Sequence, residues 1–135
     1  MPLWLEMVLR LLLASASGAA IGYQRKRAGK PVGMRTYILI TLGATLFTIV
    51  SVFGFAGAVD PSRVAAGVVI GIGFIGAGVI FRGPRNGEVT GLTTAASMWA
   101  AAAAVGLAVG SGLYLISIVA TLLIVISLML SRVLD

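Results

Sequence analysis

Residues 64–81 read VAAGVVIGIGFIGAGVIF, an uninterrupted apolar run from Val64 to Phe81 with no charged position. Two readings compete for it. Gly71-Ile72-Gly73-Phe74-Ile75-Gly76 spells GxGxxG, the turn that brings backbone amides against a dinucleotide's phosphates. That site needs a strand before the motif, a helix opening at it and an acidic residue about 20 positions on. The acidic residue available is Glu88, which comes too early. The run as a whole has close to the roughly 20 apolar residues that cross a bilayer as a helix. The stretch is therefore read as a helix in lipid, its glycines serving close packing. A second near-match, Gly22 through Lys30, fails as a phosphate loop: six residues separate Gly22 from Gly29, and Pro31 stands where Ser or Thr is required.

Composition extends this reading outward. The 135 residues are enough for one domain, 1–135, and are 59% hydrophobic and 10% charged, with a mean hydropathy of +1.10. Soluble chains carry about 25% charged residues, so the main solvent is lipid. The net charge of +6 lies in turns between apolar runs rather than along one helix face; the counter-charge is read as anionic lipid headgroups, not nucleic acid. The chain has neither Cys nor His, which excludes disulfides, thiolate–imidazole zinc sites and any triad built on a His base. No Asp or Glu stands near the middle of an apolar run, so a proton relay or a dehydrated Mg²⁺ site has no obvious ligands. No cofactor, no metal and no enzymatic activity are expected.

Five apolar segments follow, at about Leu3 to Tyr23, Thr36 to Ala56, Val64 to Phe81, Gly91 to Val109 and Gly112 to Leu130. Their backbone amides must be bonded internally in lipid, which predicts an all-α bundle of about five transmembrane helices. Ala14-Ser15-Ala16 resembles a signal cleavage site, but Glu6 precedes the first Arg where a basic region belongs; the first segment is read as retained. The fourth is read as one arm of a tight hairpin through Gly110-Ser111-Gly112, with a re-entrant segment as the alternative. Arg25, Lys26, Arg27, Lys30, Arg35, Arg82, Arg85 and Arg132 fall on one side, against Arg63 and Arg10 on the other. The positive-inside rule then puts the N-terminus out and the C-terminus in.

Small-xxx-small pairs mark helix contacts: Gly18 with Gly22, Gly67 with Gly71, and Gly106 with Gly110. Gly73, Gly76 and Gly78 strip the third helix further and predict a central position for it. A homodimer through such a face is the alternative to packing within the chain. Glu6 and Arg10, four apart, share a helix face in the favourable order, and Asp60 and Arg63 occupy the outer connector. The four are candidates for one outer-face cluster, whose bland reading is an ion-pair network anchoring helix ends. Thr41, Thr45, Thr48 and Ser51 form a hydroxyl stripe, with Thr93, Thr94 and Ser97 on the fourth segment. They are read as bonds to neighbouring carbonyls or, alternatively, as a polar path. The loop Gln24–Thr36, with Gln24, Arg25, Arg35 and Thr36, is topogenic or else an anion or partner contact.

Several blocks together carry a family resemblance: Gly18-Ala19-Ala20-Ile21-Gly22 with Gln24-Arg25, Gly33-Met34-Arg35-Thr36, Asp60, Arg63-Val64-Ala65-Ala66, Gly71 through Ile80, and Gly91-Leu92-Thr93-Thr94-Ala95-Ala96-Ser97-Met98-Trp99-Ala100. In this order, over nearly the whole chain, they resemble the MgtC/SapB family of bacterial inner-membrane proteins. The resemblance implies a five-helix membrane domain and a regulator rather than a transporter. Its implied associations are growth at low magnesium, virulence through survival inside host cells, and restraint of the F-type ATP synthase. Three departures stand out. Gln24 replaces a glutamate common in the family, Gly67 and Ile70 replace Gln and Ser, and the soluble cytoplasmic domain of many relatives does not follow Asp135. Any activity housed in that domain is expected to be missing from this chain. The function expected is that of a non-enzymatic membrane regulator; the alternative is a small homodimeric transporter or channel.

Overall fold

The computed structural model describes residues 2–30, 32–55, 57, 59–82 and 89–134, by backbone alone at 81–82, 89, 102–104 and 131–134. Arg85 and Glu88, and the predicted end of the second segment at Ala56, lie outside the described residues. The order of elements is α1 (Leu3–Arg27), α2 (Met34–Ile49) continuing into a π-helical turn (Val50–Gly54), and α3 (Ser62–Ala77). Then come β1 (Phe81–Arg82), β2 (Val89–Thr90), α4 (Leu92–Ala100), a π-helical stretch (Ala101–Gly106), α5 (Leu107–Gly110) and α6 (Tyr114–Leu134).

The expectation of about five membrane-crossing helices is not met. Among the described residues two helices are long and apolar enough to cross a bilayer: α1, with 25 residues, and α2 with its π-helical turn, 21 residues from Met34 to Gly54. The physical reason is length along the axis. At 1.5 Å per residue, the 16 residues of α3 rise about 24 Å against a hydrocarbon core of about 30 Å. The run from Val64 to Phe81 fills eighteen positions in sequence, but its helix stops at Ala77. The amides of Gly78, Val79 and Ile80 then bond three residues back, to Ile75, Gly76 and Ala77, closing the helix in a tight turn. The fourth segment keeps α-helical pitch for only nine residues before Ala101. The fold is all-α apart from a two-residue antiparallel ribbon, Phe81 opposite Thr90 and Arg82 opposite Val89.

The central helix is α2, not α3. Gly18 of α1 presses on α2 so closely that an added Cβ would sit 2.7 Å from the Tyr37 carbonyl oxygen and 2.9 Å from Ile38 Cα. At Gly22 it would sit 2.6 Å from Met34 Cα. On the other side Gly106 abuts Ala44, and an added Cβ at Gly110 would meet Thr48 Cβ at 2.5 Å. Backbones that approach this closely gain dispersion contact, which replaces hydrophobic burial as the force between helices in lipid. α3 sits at the edge: Gly76 touches Ala95, while Gly67, Gly71 and Gly73 have nothing within 4 Å of where a side chain would start.

Polarity is inverted relative to a water-soluble domain. Thr41, Thr45, Ser117 and Arg25 are buried, whereas Leu39, Ile70, Leu115 and Phe74, the last 83% exposed, face outward. An apolar surface of this extent belongs against lipid or another protein.

Candidate functional site

Two polar clusters hang on α1, at Arg10 and Arg25. Fifteen residues at 1.5 Å each put them about 22 Å apart along the helix. The first joins α1 to the α5–α6 turn. Arg10, 7% exposed, donates from Nη2 to Glu6 Oε1 (2.8 Å), from Nη1 to the Gly110 carbonyl (2.7 Å) and from Nε to the Tyr114 hydroxyl (2.9 Å). The Tyr114 hydroxyl donates in turn to Glu6 Oε1 at 3.1 Å. The guanidinium also lies 5.6 Å from the centre of the Phe53 ring, within cation–π range. Gly112, at φ +83, makes the turn and leaves room for it: an added Cβ there would meet Arg10 Nη2 at 3.2 Å. Every nitrogen of this guanidinium has an acceptor.

The second cluster is differently balanced. Arg25 is 1% exposed. It donates from Nη2 to Thr94 Oγ1 at 2.7 Å, yet its Nε has no acceptor, and the buried Oε1 of neighbouring Gln24 has no donor. The Tyr37 hydroxyl is hydrogen-bonded to Ser97 Oγ, and Ser97 Oγ donates to the Thr94 carbonyl at 2.7 Å. Among the described residues no carboxylate pairs with Arg25. A buried charge without a counter-charge is costly, and inside a membrane protein it is a functional candidate on that ground.

Asp60 and Arg63 do not join Glu6 and Arg10. Asp60 Oδ1 instead accepts from the Ser62 amide (2.9 Å) and the Ser62 hydroxyl (2.6 Å), while the Arg63 amide donates to the Asp60 carbonyl (3.3 Å). This is a local turn opening α3, and its two donors hold the exposed Asp60 carboxyl below the usual carboxylate value. The hydroxyl stripe is spent on carbonyls: Thr41 Oγ1 donates to Ala14 O (2.8 Å), Thr45 Oγ1 to Gly106 O (3.1 Å) and Thr48 Oγ1 to Ala44 O (2.7 Å). Thr93 and Ser97 line a cleft of about 300 Å³ between α4 and α6. A larger apolar groove of about 630 Å³ lies between α2 and α3, with Thr36 at one end and Phe47 and Val64 at the other. Arg35, next to Thr36 in the chain, is exposed. Among the described residues no group of three His, Cys, Asp or Glu side chains converges.

Sequence reasoning singled out neither Tyr37 nor Tyr114. No spacing rule links Tyr37 to Ser97, 60 positions on, or Arg10 to Tyr114, 104 positions on. A usable signal was present all the same: a buried Arg demands polar neighbours, and tyrosines are scarce here, three in the chain.

A family model described as the MgtC family matches residues 11–135. The chain is 49% identical over 116 residues to the Escherichia coli K12 protein named "Putative magnesium transporter YhiD", covering 81% of this chain and 53% of that protein. It is 42% identical to protein SrpB of Synechococcus elongatus, covering 93% and 74%, and 44% identical to protein MgtC of Brucella abortus strain 2308, covering 80% and 44%. It thus spans about half the length of YhiD and of Brucella MgtC. No solved structure gives a significant match. A family match along almost the entire sequence, on a helical scaffold that turns its polar side chains inward, makes the chain a member of the MgtC/SapB family, a multi-pass protein of bacterial inner membranes.

Proposed function

We propose that this chain is a non-enzymatic membrane regulator, linked to magnesium homeostasis and virulence as its family is, and that it acts by touching another membrane protein through the outer face of α3. One observation carries the reading. Ile70, Gly73 and Phe74, three and four residues apart on one helix face, stand outward at the edge of the bundle, with Gly73 open to close approach. A glycine between two bulky apolar residues is a seat for a partner helix. The resemblance noted in the sequence points to the F-type ATP synthase as that partner; a second copy of the chain is the homodimeric form of the same contact. A photo-crosslinking residue at Phe74, with Leu115 on α6 as control, tests it in native membranes. A partner subunit attached at 74 and not at 115 is the expected result. Recovery of lipid adducts alone at both positions would reject it.

Transport is the second reading, favoured by the printed name of the YhiD relative. Against it, the threonines of α2 are engaged by carbonyls rather than lining an open path. Proteoliposomes loaded with a magnesium indicator decide: flux above protein-free vesicles would favour the transporter.

A further inference from the structure

The groove between α2 and α3 is distinct from the outer face of α3. Thr36 supplies the polar side chain of its lining, at one end, and from there the groove runs past Leu39, Gly43, Gly67 and Gly71 to Phe47. Thr36 to Phe47 spans eleven residues, about 16 Å of helix. Gly43, Gly67 and Gly71 have nothing within 4 Å, so the groove exists because three side chains are missing from its walls. Its polarity is lopsided. Beside Thr36 stands Arg35, exposed and without a side-chain hydrogen bond or ion pair among the described residues. Gly33, which precedes α2, brings no side chain to cap the helix start, leaving first-turn amides open on the same side.

We propose that this groove holds one acyl chain of an anionic phospholipid, with the phosphate at Arg35 and Thr36. An apolar channel with a hydroxyl in its lining at one end and an exposed cation on the adjoining residue matches an amphiphile: a tail to lie along the glycines, and a charged head to meet Arg35 at the boundary. Charge complementarity is what selects this occupant over a second copy. The glycine pair Gly67 and Gly71 would thus be a lipid seat rather than a helix–helix contact. The partner contact proposed for Phe74 can fail without touching this inference, because the two faces are different.

The test is native mass spectrometry of the whole chain. It is reconstituted in vesicles of equal parts phosphatidylglycerol and phosphatidylcholine, then released in mild detergent. The intact chain should retain phosphatidylglycerol in preference to phosphatidylcholine. Arg35→Gln should lower that retention about fivefold, the equivalent of ~1 kcal/mol for one basic residue at an anionic lipid, while Lys26→Gln leaves it unchanged. Gly67→Leu, whose new side chain enters open space, should lower retention of both lipids. Equal retention of the two lipids by the intact chain, or equal effects of Arg35→Gln and Lys26→Gln, would overturn the proposal. So would a Gly67→Leu chain that keeps its lipid, or one that loses a dimer mass instead. If Gly67→Leu elutes as aggregate, the Arg35 and Lys26 pair decides alone.

Discussion

Arg10 and Arg25 are chemically identical, lie on one helix, are nearly equally buried, and should respond oppositely to substitution. Arg10 is bonded at every nitrogen and neutralised by Glu6, so Arg10→Met should lower the melting temperature in detergent by stranding Glu6 and the Gly110 carbonyl. Among the described residues Arg25 donates to Thr94 Oγ1 and has an idle Nε and no counter-ion. Replacing a poorly satisfied buried charge with a hydrophobe of similar volume is often neutral or stabilising by about 1–4 kcal/mol. Arg25→Met should therefore hold or raise the melting temperature while abolishing function in a complementation assay. A fall as large as that of Arg10→Met would mark Arg25 as structural. Asp60 provides the pH-sensitive case outside the membrane helices. Its carboxyl is held below the ordinary value of 3.8 by the Ser62 hydroxyl and amide. Its contribution is thus fully present above the unfolded carboxylate value and is lost as pH falls through the lower folded one. Asp60→Asn should flatten this acid limb of a thermal-stability profile and leave the neutral region nearly unchanged.

Between elements, the glycines divide by what faces them. Gly22→Ala would drive a Cβ to 2.6 Å from Met34 Cα, prising α1 from α2; overpacking of this kind costs about 1–3 kcal/mol. Gly71→Ala meets nothing within 4 Å and should gain up to about 1 kcal/mol from helix propensity. Thermal unfolding of the two variants side by side checks the contrast. The same division shows what the sequence could reveal. The apolar runs, the turn at Gly112 and the Glu6–Arg10 pair are local patterns, legible from spacing alone. Which glycines are crowded is not local: Gly18 and Gly67 read alike in the chain, and only the placement of α2 between α1 and α5 tells them apart. The number of crossing helices was misjudged for a related reason. An apolar run measures composition, whereas crossing needs unbroken helical rise, and the run ending at Phe81 loses its last four residues to a turn and a ribbon strand. The Arg25 cluster escaped in part because Tyr37 and Ser97 come from helices far apart in sequence.

For the molecule as a whole, α1 and α2 with its π-helical turn are the two helices among the described residues long and apolar enough to cross a bilayer. The chain contains no cysteine, so single cysteines report cleanly. Leu12→Cys on α1 and Phe47→Cys on α2 should resist a water-soluble maleimide in sealed inside-out vesicles, while Lys30→Cys should label. Labelling at Leu12 or Phe47 would remove these helices from the bilayer. The π-helical stretch Ala101–Gly106 has a role on this same scale. A π-turn accommodates one more residue than an α-turn, so it sets the angle at which α5 leaves α4. On one side of it Thr94 reaches Arg25; on the other the Gly110 carbonyl reaches Arg10. Were the stretch to wind at ordinary pitch with all its residues kept, everything beyond it would swing by about 100°. One guanidinium would keep its hydroxyl while the other lost its carbonyl. The six residues behave as a clutch: they let two distant anchors engage at once, although a straight helix of the same composition could satisfy only one.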